Sequence, residues 1–197
     1  MPDLPPYALI AAYSVKDFDH WLATFDSNQG MRAEAGYLGH HVNRGEDDPN
    51  RVAVYLAVAD LEKAKAMLTS PELMEVMQDA GIIPSPAFTW LVPKREAVVW
   101  DRQLPAMIIR HSVADFDAWL DAYDAAGDLQ KSNGIVGHAA NQMLDDPSSA
   151  VIYHQAESFD ALRAFLANPE LRSVMEAAGV TSEPDVAFGT GGWAKLY

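Results

Sequence analysis

The hydrophobic and polar positions of this chain follow one pattern twice. Each copy begins with a largely continuous apolar run, at 8–15 and again at 106–113, which is typical of a strand covered on both faces. Apolar residues at helical spacing follow, and after them come two short runs of the kind that forms a hairpin. A second helical stretch and a final apolar run end each copy. The pattern predicts strand, helix, two hairpin strands, helix and strand, in that order.

A shift of 98 residues aligns the two copies. Between residues 7–99 and 105–197 it gives about 28 identical pairs in 93 positions, and it needs no gap. The segment SVKDFDHWL, from Ser14, aligns with SVADFDAWL, from Ser112. Because this similarity is several times what composition would give by chance, we interpret the chain as a tandem duplication.

Capping residues and turns indicate where the predicted elements begin and end. Asp17 and Asp115 stand at N-cap positions, and a glycine ends each of these segments in the manner of a C-cap. The second helical stretch, from about residue 60 in the first copy, contains a capping residue, a proline and a glutamate, at 70–72 and again at 168–170. Asp-Asp-Pro turns join the hairpin strands. The remaining strands are predicted at 39–46, 51–58, 88–92, 137–144, 150–157 and 186–188.

Each copy therefore matches the ferredoxin-like βαββαβ unit, which has helices on one face of its sheet. The bare face is apolar and needs a cover, so we expect the two units to press these faces together into a closed barrel with the helices outside. The predicted fold class is α+β, with repeats at 1–98 and 99–197 forming one pseudo-twofold assembly. The join lies at 92–105, where the patch 97–100 could be an extra edge strand.

Composition narrows the function classes. The chain has 49% hydrophobic residues, and 14 Lys and Arg against 28 Asp and Glu give a net charge of -14. This charge would repel a phosphate backbone, so we expect neither nucleic acid nor an anionic membrane as a partner. There are no cysteines, which excludes disulfides and thiolate chemistry. The N-terminal sequence has no basic region before its short apolar run, so we expect a cytoplasmic protein.

The repeated motifs carry a family likeness. The pattern S-V-x-D-F-D-x-W, then G-x-x-G-H, D-D-P and P-E-L-x-x-x-M-x-x-A-G resembles the dimeric α+β barrel superfamily, near its antibiotic biosynthesis monooxygenase-like branch. The likeness covers nearly the whole chain, once per repeat. It implies cofactor-independent monooxygenases, polyketide cyclases, lactone isomerases or haem-degrading enzymes, and so does not fix one reaction. Most relatives form the barrel by homodimerisation, whereas this chain is fused in tandem, so its two halves can diverge.

Both hairpins carry an asparagine and a tyrosine on one face. With tight turns centred on the two Asp-Asp-Pro prolines, Asn43 would lie opposite Tyr55, and Asn141 opposite Tyr153. Such a pair could orient a phenolic or enol substrate, or it could satisfy buried backbone groups. Both interpretations stay open.

The other face of the hairpins carries histidines, and more of them in the second copy. The same register makes His138 and His154 diagonal neighbours, about 7 Å apart. The first strand of the second copy adds Arg110 and His111, where the first copy has alanine and tyrosine. The second copy is therefore the stronger candidate for an active site.

Three interpretations of the histidines compete. In the first, His40 and His138 are structural residues that bind backbone carbonyls. In the second, His111, His138 and His154 form a general acid–base set with Tyr153, in a pocket between sheet and helices, because imidazole titrates near neutral pH. The third is a histidine metal site, which lacks helical H-x-x-x-H spacing and a fixed carboxylate partner.

Two further features have structural and functional interpretations. Trp119 is expected to belong to the core, although it could stack on a substrate. The Gly-Thr-Gly-Gly run at 189–192 resembles a phosphate loop, but we reject that function because too few residues follow it for a helix. The candidate substrate contacts are Asn43, Tyr55, Asn141, Arg110, His40 and Trp119.

The sequence thus predicts a small-molecule enzyme of the cofactor-independent monooxygenase or cyclase kind, acting on a phenolic or polyketide-like substrate. A histidine would abstract a proton, and Tyr153 or Asn141 would stabilise the oxyanion. We expect no cofactor and no metal, and a pseudo-dimer within one chain that could dimerise further. The alternative is a non-catalytic barrel that binds a hydrophobic small molecule or serves as an assembly subunit.

Overall fold

The computed structural model describes residues 4–197, apart from the side chain of Pro84. Eight strands and eight helices follow one another in the same order in both halves of the chain: a strand, two helices, two strands, two helices and a strand. The strands are Tyr7–Val15 (β1), Tyr37–Gly45 (β2), Arg51–Val58 (β3), Ile82–Ala97 (β4), Leu104–Ser112 (β5), Ile135–Met143 (β6), Ser149–Ala156 (β7) and Asp185–Leu196 (β8). The helices are Phe18–Ser27 (α1), Gln29–Glu34 (α2), Leu61–Leu68 (α3), Pro71–Asp79 (α4), Phe116–Ala125 (α5), Gly127–Ser132 (α6), Phe159–Leu166 (α7) and Pro169–Ala177 (α8).

The predicted caps begin the helices. The Asp17 carboxylate accepts a hydrogen bond from the backbone N–H of His20, at 2.7 Å, and Asp115 caps α5 in the same way. Ser70 caps α4, whose first residue is Pro71. Each helical stretch that the pattern predicted as one is divided into two short helices. Glycines with positive φ angles follow α2, α4, α6 and α8, as C-caps require: Gly36, Gly81, Gly134 and Gly179.

The eight strands form a closed antiparallel barrel, in the order β1-β3-β2-β8-β5-β7-β6-β4. The last strand of each half is long because it belongs to both halves. The first part of β4 pairs with β1, and its end pairs with β6 of the second half. In the same way, β8 pairs with β5 and then crosses to β2. The predicted fold, an intramolecular α+β barrel of two ferredoxin-like units, is confirmed.

The shared strands correct two predictions about the ends of the repeats. The last strands extend well beyond the predicted 88–92 and 186–188. The patch 97–100 is not an extra edge strand, because Ala97 ends β4 and the next three residues have no strand pairing. The side-chain amide of Gln155 instead binds the backbone of Val99, accepting from its N–H at 2.8 Å and donating to its carbonyl at 3.1 Å.

The predicted hairpin register is also wrong: each residue faces a partner two positions earlier in the chain than predicted. In the first hairpin Arg44 pairs with Val52, so the turn is centred on Asp48, one residue before the proline. Asn43 therefore faces Ala53, and Tyr55 is its diagonal neighbour rather than its direct partner. The second hairpin has the same shift. There it places His138 directly opposite His154, and Asn141 opposite Val151.

Alternation along the strands divides the side chains between two surfaces. One surface lines the lumen of the barrel, and the other lies beneath the helices. The helix-covered surface forms two large apolar clusters, one per half, centred on Trp21 and Trp119. A smaller cluster that contains Ile10, Leu91 and Val151 joins the halves. This division decides which candidate residues can meet.

Candidate functional site

A cavity of about 50 Å³ lies between the sheet and the helices of the second half. His111, from β5, and His154, from β7, are the histidines that line it, and they are 5% and 4% exposed. Neither ring nitrogen of either residue has a hydrogen-bond partner among residues 4–197. Buried polar atoms in proteins are usually paired, so four unpaired ring nitrogens around one cavity mark it as a candidate ligand site.

Burial sets the protonation state of these histidines. It lowers the pKa of His111 to about 4, and it lowers the pKa of His154 to about 3, with a smaller contribution from the neighbouring His138. Both imidazoles are therefore neutral near pH 7, with one nitrogen to accept a proton and one N–H to donate.

The aromatic residues of α5 form one wall of this cavity. Trp119 packs edge-on against His111, with ring centroids 5.6 Å apart, and belongs to the core as expected. The ring of Tyr123 is parallel to the ring of His154, at 6.2 Å. The Tyr123 hydroxyl binds Nδ1 of His138 at 2.9 Å. His138 itself is half-buried and lies outside the cavity, so it connects Tyr123 with solvent.

The matching cavity of the first half is larger, at about 80 Å³, and its lining includes Asn28 and Arg32 but no histidine. Tyr13 and Leu56 stand there in place of His111 and His154. His40 does not line this cavity; its Nδ1 binds the Tyr197 hydroxyl at 2.8 Å, and its ring packs edge-on against Phe25. His40 therefore has a structural role, with the Tyr197 side chain as the partner of its Nδ1 and the backbone of Trp193 also in hydrogen-bond contact with the ring.

The lumen of the barrel holds the asparagines and tyrosines of the hairpins. Asn43, Tyr55, Asn141 and Tyr153 line one narrow cavity of about 40 Å³. The Tyr153 hydroxyl donates to Oδ1 of Asn43 at 2.9 Å, across the two halves. The Asn141 amide donates to the Val151 carbonyl at 3.1 Å, which is the backbone role left open above. Burial raises the pKa of Tyr55 and Tyr153, so both hydroxyls stay protonated.

The predicted acid–base set is therefore divided by the sheet. His154 lies beneath the helices, whereas Tyr153, its neighbour in the chain, faces the lumen. Consecutive side chains of a strand point to opposite faces, so the two cannot act on one substrate. Asn141 is excluded from the histidine cavity by the same geometry. In their places the cavity offers Tyr123 and Gln130, which the sequence analysis did not select.

Three lumen residues, His41, Glu96 and Trp100, were also missed by the sequence analysis. His41 is buried, its Nε2 has no partner among the described residues, and its ring lies 5.7 Å from that of Tyr153. Glu96 lines the same cavity, and burial raises its pKa although a hydrogen bond with Trp100 opposes the shift. Strand alternation could have identified His41, because it stands two residues before Asn43.

Arg110 lies on the lumen side as well, at a wide opening of about 690 Å³. Thus the ten candidate residues fall into three places. The helix side of the second half holds His111, His138, His154 and Trp119, and the helix side of the first half holds His40. The lumen holds Asn43, Tyr55, Arg110, Asn141 and Tyr153. Within residues 4–197, no three His, Asp or Glu side chains converge as metal ligands.

The glycine run at 189–192 has a packing explanation. It lies within β8, and a Cβ at Gly191 would overlap the hydroxyl of Tyr153. A Cβ at Gly189 would come within 2.5 Å of the Arg44 carbonyl oxygen. Glycine is therefore required because neighbouring groups approach the backbone closely, not because a phosphate binds.

Comparisons with known proteins agree with the architecture. No family model matches this sequence, and no curated protein is significantly similar to it. Solved structures with this fold include a candidate monooxygenase from Lactobacillus acidophilus NCFM, at 14% identity and a TM-score of 0.66, over 98% of this chain and 99% of the other. An anthrone oxidase-like protein has 14% identity and a TM-score of 0.67, over 99% and 94% of the two chains.

A third similar structure is a candidate monooxygenase from Fusobacterium nucleatum subsp. nucleatum ATCC 25586. It has 8% identity and a TM-score of 0.69, over 98% of this chain and 95% of the other. At these identities the likeness establishes the fold alone: this chain forms a closed α+β barrel with both halves in one polypeptide. Among the described residues, no helix has the length and apolar character needed to cross a membrane.

Proposed function

We propose that this protein is a small-molecule enzyme of the cofactor-independent monooxygenase or cyclase kind, with its acid–base site in the second-half cavity. The observation that carries the proposal is the pair of buried, unpaired imidazoles of His111 and His154 facing one cavity. The first half has no such pair, so the histidines are not required to build the fold. The names of the similar structures support the reaction class, and the cytoplasm stays the expected location.

The substrate that best fits this site is a phenol or a carbon acid activated by neighbouring carbonyl groups. A neutral imidazole can accept its proton, and the hydroxyl of Tyr123 or the amide of Gln130 can donate to the resulting oxyanion. Because burial disfavours the charged form of His154, the proton must move on. His138 lies directly opposite His154 on β6 and is half-buried, so it provides the route to solvent.

The oxidation needs no separate reductant. For an anthrone-like substrate, deprotonation of the methylene carbon gives an enolate that donates electrons to dioxygen. One oxygen atom stays on that carbon as a carbonyl, and the other leaves as water with the two methylene hydrogens. The substrate supplies all four electrons, so neither a flavin nor a metal is required for the balance.

The cavity must widen to admit such a substrate, and helix α8 is the element that can move. Leu171, Val174 and Met175 of α8 form the outer wall, yet none of the residues of α8 is fully buried. Elements with few buried contacts open at low free-energy cost. Movement of α8 would enlarge the cavity without disturbing the barrel.

The test is oxidation of anthrone, followed by oxygen uptake and by the absorbance of the quinone product. We expect the wild type to exceed the uncatalysed rate, and His154→Leu, which introduces the residue found at Leu56, to lose about a hundredfold in kcat. His40→Gln is the matched control, because His40 is a buried histidine on the helix side of the other half and lies outside the cavity. Equal rates for the wild type and His154→Leu would contradict the acid–base role.

A non-catalytic barrel is the second candidate, and the small volume of the cavity favours it. Anthrone, quinol and lactone compounds would then bind to the wild type without reacting. If they also fail to bind to His154→Leu, the cavity is a binding site and not an active site.

A further inference from the structure

The lumen of the barrel widens at one end into a cavity of about 690 Å³. It is wide because the strands present small side chains to it where most barrels of this size are filled by large ones. The small residues that line it are Ala12, Ala53, Ala87, Ala106, Ala187 and Gly189. The two isoleucines Ile10 and Ile108 add apolar surface deeper inside. This cavity lies on the opposite face of the sheet from His111 and His154.

One cationic side chain enters this cavity from the second half. Arg110 stands on β5, its Nη2 donates to the Thr89 hydroxyl at 3.3 Å, and its buried Nε has no partner among the described residues. Asp185 is its cross-strand neighbour on β8, but the two form no ion pair among residues 4–197. The matching residue of the first half is Ala12, so the fold does not need a cation here.

The floor of the cavity is polar. Asn43 lines both the wide cavity and the narrow one behind it, so the two cavities are adjacent. Behind Asn43 lie the hydroxyl of Tyr153 and the unpaired Nε2 of the buried His41. Arg110 is opposite Val151, two residues from Tyr153 on β7, so the backbone positions of Arg110 and Tyr153 are about 7 Å apart along the strand, and the apolar Ile108 of β5 faces Tyr153.

We propose that the lumen is a second ligand site, which binds a small aromatic carboxylate that carries a hydroxyl group at its far end. The guanidinium of Arg110 matches a carboxylate in planarity and donates two parallel hydrogen bonds. The isoleucine and alanine walls accept the ring, and Asn43 with Tyr153 and His41 binds the hydroxyl. The ligand would thereby pair both the buried Nε of Arg110 and the imidazole of His41.

The rim of the cavity makes the site selective. It carries the carboxylates of Glu46, Asp47, Asp48 and Asp185, which outnumber the guanidinium groups of Arg44 and Arg51. These acidic groups repel an anion at the surface, so a free anion without a ring gains too little inside to stay bound. An aromatic carboxylate also buries apolar area, which offsets the repulsion. The proposal is independent of the acid–base site beneath the helices.

The experiment is calorimetric titration of the protein with 6-hydroxy-2-naphthoate, and with 6-hydroxy-2-naphthamide as the neutral analogue. We expect the carboxylate to bind the wild type at least tenfold more tightly than the amide. Arg110→Ala, which introduces the residue found at Ala12, should weaken the carboxylate at least tenfold and leave the amide unchanged. Arg102→Ala removes an exposed arginine that is paired with Glu157 and should change neither affinity.

Two results would overturn the proposal. One is a wild type that does not bind the carboxylate at millimolar concentration, and the other is equal affinity in the wild type and Arg110→Ala. Arg110→Gln repeats the test with a side chain that can still bind Thr89, in case the alanine variant does not fold. His154→Leu should bind the carboxylate as the wild type does, so loss of catalysis and loss of lumen binding are separate observations.

Discussion

The two halves of the barrel share one backbone plan but fill the space beneath their helices differently. In the first half, the buried Arg32 crosses the ring of Phe25 at 3.7 Å and donates to the hydroxyl of Tyr197. That hydroxyl also binds His40. The matching place in the second half has Gln130 and Tyr123, and the two histidines of its cavity stay unpaired.

This difference separates residues that the fold needs from residues that it merely accommodates. Both halves keep the cap aspartates, the C-cap glycines and the core tryptophan, and these residues form helix ends and core in both. The residues that line the two cavities differ at most polar positions. Because the two cavities have the same scaffold around them, each is a control for the other, and the predictions below use them in that way.

The largest effect is expected at the tryptophan that the halves share. Trp21 is buried, stacks on Phe25 at 5.1 Å and packs edge-on against Tyr13. Trp21→Ala should lower the free energy of unfolding by about 3–5 kcal/mol. Because β4 and β8 belong to both halves, the loss should destabilise the whole barrel in one transition. Urea denaturation followed by circular dichroism measures the loss, and hydrogen exchange shows where it falls.

Trp119→Ala is the matched variant in the second half. Trp119 is similarly buried and packs against Phe116 and Tyr123, so a similar loss is expected, again in one transition. Two separate transitions in either variant would show that the halves fold independently, despite the shared strands.

A second prediction concerns acid sensitivity, to which both halves contribute. Burial lowers the pKa of His40, His41 and His111 to about 4, and that of His154 to about 3, from an ordinary 6.5. Below pH 6.5 the unfolded chain therefore binds protons that the folded chain does not. Stability is fully present above this pH and is lost as the pH falls from 6.5 towards 4. Each histidine should account for a loss of about 2 kcal/mol between pH 7 and pH 5.

His154→Leu tests this explanation, because it removes one of the four histidines that contribute to the loss of stability in acid. The variant should lose about 2 kcal/mol less than the wild type between pH 7 and pH 5, by urea denaturation at the two pH values. His20→Gln, at an exposed position of α1, should keep the wild-type difference. If both variants lose as much as the wild type, His154 is protonated in the folded protein and our assignment of its charge is wrong.

Most of the fold could be predicted from the sequence because local signals and the repeat agree. Capping aspartates, Asp-Asp-Pro turns and helical spacing each point to the same βαββαβ order, and the offset of 98 residues supplies a second copy as a check. The length of β4 and β8 could not be predicted, because their ends are fixed by pairing with the other half. The register of the hairpins was missed because the Asp-Asp-Pro motif predicts a turn but does not fix which of its residues lies at the centre.

The site was predicted less well, since it depends on which face of the sheet each residue occupies. Placing His154 and Tyr153 in one set contradicts strand alternation, which the sequence itself displays. His111 and His154 line one cavity between sheet and helices, and their acid–base role stays a prediction. Glu96 and Trp100 enter the lumen from the end of β4 and the segment after it, and that path follows from barrel closure rather than from any local pattern.

The smallest effect compares the tyrosine hydroxyls that bind His40 and His138. Tyr197→Phe removes the partner of His40 and of Arg32, both of which are buried, so a loss of about 1–3 kcal/mol is expected. Tyr123→Phe introduces the residue found at Phe25 and should lose less, about 0.5–1 kcal/mol, because water can reach the half-buried His138. Urea denaturation at pH 7 measures both. A larger loss for Tyr123→Phe would mean that the second half depends on its polar contacts for stability as much as the first half does. The polar residues of its cavity would then be explained by the fold, and the contrast between the halves would no longer support a catalytic role for them.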